Sequence, residues 1–214
     1  MTLAPVRRTL LRDAAYEAIR DAIVSGDIRP GASVSNAALA ERLGLSRAPV
    51  RDALARLVDE GLVATKPQSY TRVTDVVPRD VGDAATVVRA MHELAAQAVP
   101  RLTPDDIESM RAANHRFDTA TRQRDIGAAM RADDDLHDVL VMAYGNRAVA
   151  ATIQRYTPLI RRLEWLRFSR ETARRSVELH DELIAACALG DVVAATRVTA
   201  EIWHSLEQLA GEAR

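Results

Sequence analysis

"GLSRAPVRDALARLVDEGLV", residues 44–63, decides how the N-terminal part of this chain is read. Val50, Ala53, Leu54 and Leu57 recur at helical spacing and predict a helix from Arg47 to about Glu60 with one buried face. Gly61 ends that helix and Ser46 is placed to cap it. Pro49 falls in its first turn, where a missing N–H costs little. A helix that only packs has no need of Arg47 and Arg51, one turn apart, at its N-terminal end. A helix that inserts that end into a polyanion does.

The neighbouring segments complete a unit. Upstream, residues 36–43 predict a short helix capped by Ser35 and ended by Gly44, with Ala40 small where two helices must cross. Further upstream, Thr9 to Ser25 carries Ala15, Ile19, Ala22 and Ile23 on one face and stops at Gly26, and "GDIRPGASV" follows as a turn-rich connector. Downstream, "LVATK" and "YTRVTDV" read as two short strands around "PQS". Three helices and a hairpin make a winged helix-turn-helix. In that motif Arg47, Ala48 and Arg51 lie on the exposed side, where they meet base edges and phosphates in the major groove. Arg forms two hydrogen bonds with guanine, and Ser46 with free helix N–H groups holds a phosphate. The alternative, solvated arginines paired with Asp52 or Glu41, has the turn, the short helix and the hairpin against it.

Composition bounds the rest. The chain has 214 residues, enough for one large or two modest domains. A net charge of −1 gives no reason by itself to expect a polyanion partner. Residues 1–75 hold eleven basic against nine acidic residues, +2, and residues 76–214 hold eighteen against twenty-one, −3. That asymmetry points weakly to the N-terminal part. Cys187 is the only cysteine, which excludes an internal disulfide and a multi-cysteine metal site and marks it as a small core residue. No apolar run reaches a membrane span and the N-terminus lacks a secretory pattern, so the expectation is a cytoplasmic protein with no membrane partner.

Beyond Val77 the character changes. Residues 79–210 contain four glycines and three prolines, and apolar positions recur at helical spacing throughout. Six helices are predicted at about 79–99, 104–122, 125–143, 146–168, 170–188 and 191–210, opened by signals such as Thr103–Pro104 and Asp191. The expected fold is therefore mainly α. A winged helix-turn-helix over 1–77 precedes an all-α antiparallel helical bundle over 78–214. Asp133 and His137 stand one turn apart on one helix face, a usual geometry for two metal ligands. No Ser or Cys nucleophile constellation and no phosphate-binding Gly loop is present.

Two resemblances add to this. Most of residues 10–75 resembles the DNA-binding domain of the GntR family of bacterial transcription regulators, through "I..G...PG", "LA..LG.SR.PVR.AL..L" and "GLV". The resemblance implies that Ser46, Arg47 and Arg51 contact operator DNA and that the wing tip, Gln68 and Ser69, approaches the minor groove. Ala37 stands where some members place a further base-contacting Arg. Residues 79–210 resemble the FCD domain, the effector-sensing bundle of the FadR-like subgroup, through "VRAMHELAAQAV", "ADDDLHDVLVMAYGN" and "ELHDELIAACALGDVVAATRV". Six helices suggest the shorter, VanR-like version.

Many FCD domains hold a divalent metal through one Asp and three His. The resemblance places Asp133, His137 and His180 in that set and puts the third His at Ile202. His204 is two residues on, roughly 200° round the helix. Either three ligands with water or effector hold zinc or a similar ion more weakly, or His137 and His180 are a polar pair hydrogen-bonded to Asp133. Arg89 takes the family's "R...E" position with Glu93, which implies contact with the carboxylate of an organic-acid effector; the alternative is a pair on the helix face. His92 is expected at the surface or rim, Asn146 as a helix cap, and Arg161, Arg162 and Arg167 as solvated or subunit-contact residues. Trp165 and Trp203 are expected in the core or an interface. These features predict a ligand-responsive, homodimeric regulator, a repressor on palindromic double-stranded operator DNA with a small carboxylate effector. The alternatives are a metal-dependent hydrolase using Asp133, His137 and His180, and a helical protein whose winged helix binds protein.

Overall fold

The computed structural model describes residues 8–66, 69–168 and 170–211. The chain divides into two compact units, Met1–Val76 and Val77–Arg214. The first holds α1 (Arg8–Val24), α2 (Asn36–Leu43), α3 (Arg47–Asp59), β1 (Val63–Lys66) and β2 (Tyr70–Val73). The strands pair antiparallel with Val63 opposite Val73. The connector before α2 joins them, with Gly31 N–H donating to Val73 C=O and Val34 N–H to Thr71 C=O, both at 2.9 Å. Ala15, Ile19, Val50, Leu54, Leu57 and Leu62 are buried together as this unit's core. Gly44 adopts φ 64, a left-handed conformation that a side chain would resist. It lets Leu45 N–H close back on Ala40 C=O at 2.9 Å, so α2 stops and α3 starts in a new direction three residues later.

The second unit is a helical bundle: α4 (Pro78–Ala95), a 3-10 helix (Ala96–Arg101), α5 (Pro104–Gln123), α6 (Ile126–Tyr144), α7 (Arg147–Arg167), α8 (Arg170–Ala188) and α9 (Val192–Gly211). The helix expected to reach residue 99 tightens to 3-10 at Ala96. Pro100 has no N–H to offer the Ala96 carbonyl, and its ring would clash there in an α-helix. Thr103 and Asp106 form a reciprocal capping box on α5, and Asn146 caps α7 by accepting from Ala148 and Val149 N–H at 3.0 and 3.3 Å. Asp191 does the same for α9 through Ala194 N–H at 2.9 Å. The helix α4 packs on α9, α7 and α6, α5 packs on α6 and α8, and α8 packs on α9. Leu136, Ile160, Leu183 and Ile184 are among the side chains buried between them. Cys187 is buried too, and burial pushes its thiol up to about 11, which makes it inert at neutral pH. Among the described residues no helix is long and apolar enough to cross a membrane.

A polar link ties α1 to the end of α3. Buried Tyr16 donates to Glu60 Oε2 at 2.8 Å, Arg56 Nε donates to Glu60 Oε1 at 2.9 Å, and the Arg56 guanidinium lies 3.6 Å from the Tyr16 ring centre. Burial, then the hydrogen bond and charge of Glu60, push the Tyr16 phenol from 10.0 to about 12. A folded-state value raised in this way stabilises the fold in full below the unfolded pKa and less as pH rises through the folded one. Tyr16→Phe is expected to cost about 1–2 kcal/mol in urea unfolding near neutral pH. The difference from wild type should shrink as the pH is raised from 10.0 to about 12.

Candidate functional site

Two places in the chain carry polar side chains that packing does not require. The first is the N-terminal end of α3. Val50, Ala53, Leu54 and Leu57 are buried, and Ser46, Arg47, Ala48 and Arg51 are all exposed. Ser46 takes the N-cap position but its hydroxyl makes no capping bond, so the cap expected there is absent. The hydroxyl and the first-turn N–H groups therefore face outward together. Arg51 Nε is 3.6 Å from Asp52 Oδ1 with both side chains half or more exposed, a pair worth little in water. Among the described residues Arg47 makes no ion pair. Ser69 is exposed in the hairpin turn with its N–H on Lys66 C=O at 3.0 Å, and Gln68 lies outside the described residues.

The second place lies inside the bundle. Asp133 and His137 come from α6 and His180 from α8, and one donor atom from each lies within 4.8 Å of the others. Asp133 Oδ1 is 3.2 Å from His180 Nε2 and 4.0 Å from His137 Nε2. Asn114 of α5 settles the proton on His180. Its Nδ2 donates to Asp181 Oδ1 at 2.7 Å and to Val177 C=O at 3.3 Å, so its Oδ1 accepts from His180 Nδ1 at 3.1 Å. His180 Nε2 is then a bare lone pair 3.2 Å from a carboxylate oxygen, an opposition that a metal ion bound between them would relieve. His137 Nε2 is buried without a hydrogen-bond partner as well, and at 4.0 Å it is too far from Asp133 to bond it.

Donors bound to one ion at about 2.0–2.2 Å stand roughly 3–4.4 Å apart, so this set closes on an ion with little movement. Protonation fits too. Burial lowers His137 to about 4, helped by His180 and Arg161 against the pull of Asp133, which leaves it neutral. Burial pushes Asp133 up, but Arg161, His180 and His137 outweigh it and hold its carboxyl well below the usual range. An ionised Asp133 carboxylate and a neutral His137 imidazole are ligand forms.

The remainder of the site is charge. Arg161 of α7 is buried and donates to Asp133 Oδ2, to Asp134 Oδ1 at 2.5 Å and to Glu164 Oε2 at 2.8 Å. Beside it lies a cavity of about 50 Å³, lined by Asp133, Arg161, Glu164, Arg167, Phe117 and Ser176 among others. That is room for a few waters.

Comparison with known proteins gives these two places a context. Residues 82–205 match the FCD domain, and residues 11–73 match the bacterial regulatory proteins of the gntR family. The chain belongs to the GntR family, with an FCD domain. An HTH-type transcriptional regulator of the TAR-I ttuE-ttuC' intergenic region in Agrobacterium vitis is 30% identical over 60% of this chain and 77% of its own. The HTH-type transcriptional repressor RspR of Escherichia coli K12 is 24% identical over 92% of this chain and 89% of its own. The solved structure of E. coli McbR/YncC has the same fold, with a TM-score of 0.83 at 20% identity over 95% of this chain and 98% of that one. This chain is thus a transcriptional regulator of the GntR family. The hydrolase alternative finds no support among relatives that are regulators.

Against the FCD pattern several residues fall elsewhere than expected. Arg161 and Arg162 are buried, not solvated, and Arg161 faces the carboxylates of α6. His92 is buried, not at the rim, and stacks on Trp203 at 4.5 Å between ring centres. Its phase on α4 carried that signal, four residues after Val88 on the stripe with Val81, Ala84, Ala85 and Ala95. Ile202 is buried, Trp203 sits in the core as expected, and His204 is exposed, on the far side of α9 from Ile202. Arg89 Nη1 is 3.0 Å from Glu93 Oε1, one turn along α4, and Arg89 is not among the residues lining the cavity. Removing Arg161 would leave Asp133 ionised, buried and without its counter-charge. Arg161→Ala is therefore expected to cost about 3–5 kcal/mol in denaturant unfolding, against a far smaller loss for a surface change such as Arg197→Ala.

Proposed function

We propose that this GntR-family regulator is a cytoplasmic homodimeric repressor that binds palindromic double-stranded operator DNA and is released by a small carboxylate effector. The observation that carries the DNA reading is the exposed edge of α3, where Ser46, Arg47, Ala48 and Arg51 stand opposite a fully buried apolar stripe. The side chains of Arg47 and Arg51 reach base edges, Ser46 with the helix N–H groups takes a phosphate, and Ala48 leaves room for close approach. Gln68 and Ser69 at the wing follow the adjacent minor groove. Support for repression is the name of the relative RspR, which is a repressor.

In the FCD domain, Asp133, His137 and His180 hold a divalent ion, zinc or similar. When bound, that ion supplies positive charge for an effector carboxylate at the edge of the cavity. On this chain, Asn114 fixes the His180 tautomer and Arg161 fixes Asp133, so both ligands are oriented beforehand. Arg89 is the further effector contact, exchanging Glu93 for the incoming carboxylate.

Arg51→Ala and Arg47→Ala are each expected to weaken operator binding by about 1–3 kcal/mol in gel-shift titrations at fixed salt, with helix content unchanged. Unaltered affinity would remove α3 as the reading helix. A single half-site bound as tightly as the full palindrome would remove the dimer. For the effector, Arg89→Ala is expected to blunt release from operator at effector concentrations that free the wild type; a full response would move the carboxylate contact elsewhere.

A further inference from the structure

We propose that His92 supplies the fourth protein ligand to the divalent ion, so that α4 replaces the donor that α9 lacks. The inference rests on the metal reading above and concerns what this chain does about Ile202. On α9, Ile202 and Trp203 are both buried, Trp203 with its ring 5.6 Å from that of His137, and neither has a lone pair to give. From the α4 side the cluster meets His92, which is 4% exposed and stands 5.5 Å from His137 between ring centres.

Ring geometry supports the assignment. Two imidazoles bound to one ion through N–metal bonds of about 2.0–2.1 Å have ring centres roughly 4.5–6.4 Å apart, from right-angle to opposite positions. His137 and His180 stand 5.3 Å apart at 80°, and His92 and His137 stand 5.5 Å apart at 62°. Both spacings fall in that range. The face of His92 is taken by Trp203, 4.5 Å away and within 13° of parallel. Stacking uses the face of an imidazole and leaves its edge, where the nitrogen lone pairs lie, open to an ion. His92 stands outside the donor set that already lies within 4.8 Å, so its ring has to move towards the cluster when the ion binds.

The test is titration of the full-length protein with Co²⁺, followed by visible absorption and by competition with a chelator. Wild type, His92→Phe and His180→Ala are compared. Phe keeps an aromatic ring on Trp203 and removes the nitrogens. His92→Phe is expected to bind Co²⁺ at least about tenfold more weakly and to change the position and intensity of the visible bands. His180→Ala is expected to weaken binding as well. If His92→Phe matches wild type in affinity and spectrum while His180→Ala loses the ion, His92 only fills space, and the inference falls while the metal reading stands. If wild type binds neither Co²⁺ nor Zn²⁺, both fall together. Should Phe disturb the fold, seen as lost helical circular dichroism, His92→Leu, which also lacks a ligand atom, gives the comparison.

Discussion

Asp133 has two carboxylate oxygens, and they face opposite demands. One accepts from the buried Arg161 guanidinium; the other turns towards His180 and His137. Around this single group four helices are tied together: α6 carries Asp133 and His137, α7 carries Arg161 and Glu164, α8 carries His180, and α5 holds His180 through Asn114. A buried charge is tolerated only when it is paired and hydrogen-bonded, and Arg161 meets that condition with three carboxylates. The surplus of negative charge on that side is what makes the other face of Asp133 ready for a cation. Glu164 shows the same balance from the opposite direction. Its burial raises its pKa and Arg161 lowers it, with Asp133 and Asp134 adding to the rise.

The DNA-facing end of the protein is built on another principle. Its polar residues are exposed and have no structural task, which is why a pattern of residue types at fixed spacing sufficed to read them. Gly44 closes α2, Val50, Ala53, Leu54 and Leu57 hold α3, and what remains on that helix's outer edge is Arg47, Ala48 and Arg51. Local signals also placed α2 over Asn36–Leu43 and most of the bundle helices to within a residue or two, because caps and breakers act on their own neighbours. The end of α4 was less legible. Pro100 acts back on the Ala96 carbonyl, so the change to 3-10 geometry starts four residues before its cause.

Inside the bundle, legibility fell with distance along the chain. Asp133 and His137 share a helix face and are visible as a pair, whereas His180 was placed by resemblance alone. Arg161 and His92 were read as surface residues because an Arg or a His on an amphipathic helix usually is one. What overrides that prior is the partner's position: carboxylates of α6 for Arg161, the indole of α9 for His92. Neither partner is adjacent in sequence. The helical phase of His92, on the stripe of Val81, Ala84, Val88 and Ala95, was a local signal that outweighed residue type.

The orphaned nitrogens bear on how such a unit senses. Among the described residues, the buried side-chain N and O atoms without a partner are His137 Nε2, His180 Nε2, Thr199 Oγ1 and Trp203 Nε1. All four belong to the C-terminal unit, on α6, α8 and α9. Each such group costs about 1–3 kcal/mol while it stays unmet. A bundle that keeps several of them has given up stability that a ligand can restore, and a ligand at a hundred times its dissociation constant restores about 2.7 kcal/mol. Whatever binds there can change DNA affinity only as far as it distinguishes the DNA-bound arrangement from the free one. The operator must then weaken or strengthen the ligand by the same factor. Unmet buried polar groups suit that purpose better than an apolar pocket. Small shifts of a helix change the geometry of a coordination or hydrogen bond steeply, and leave the area of an apolar contact nearly unchanged.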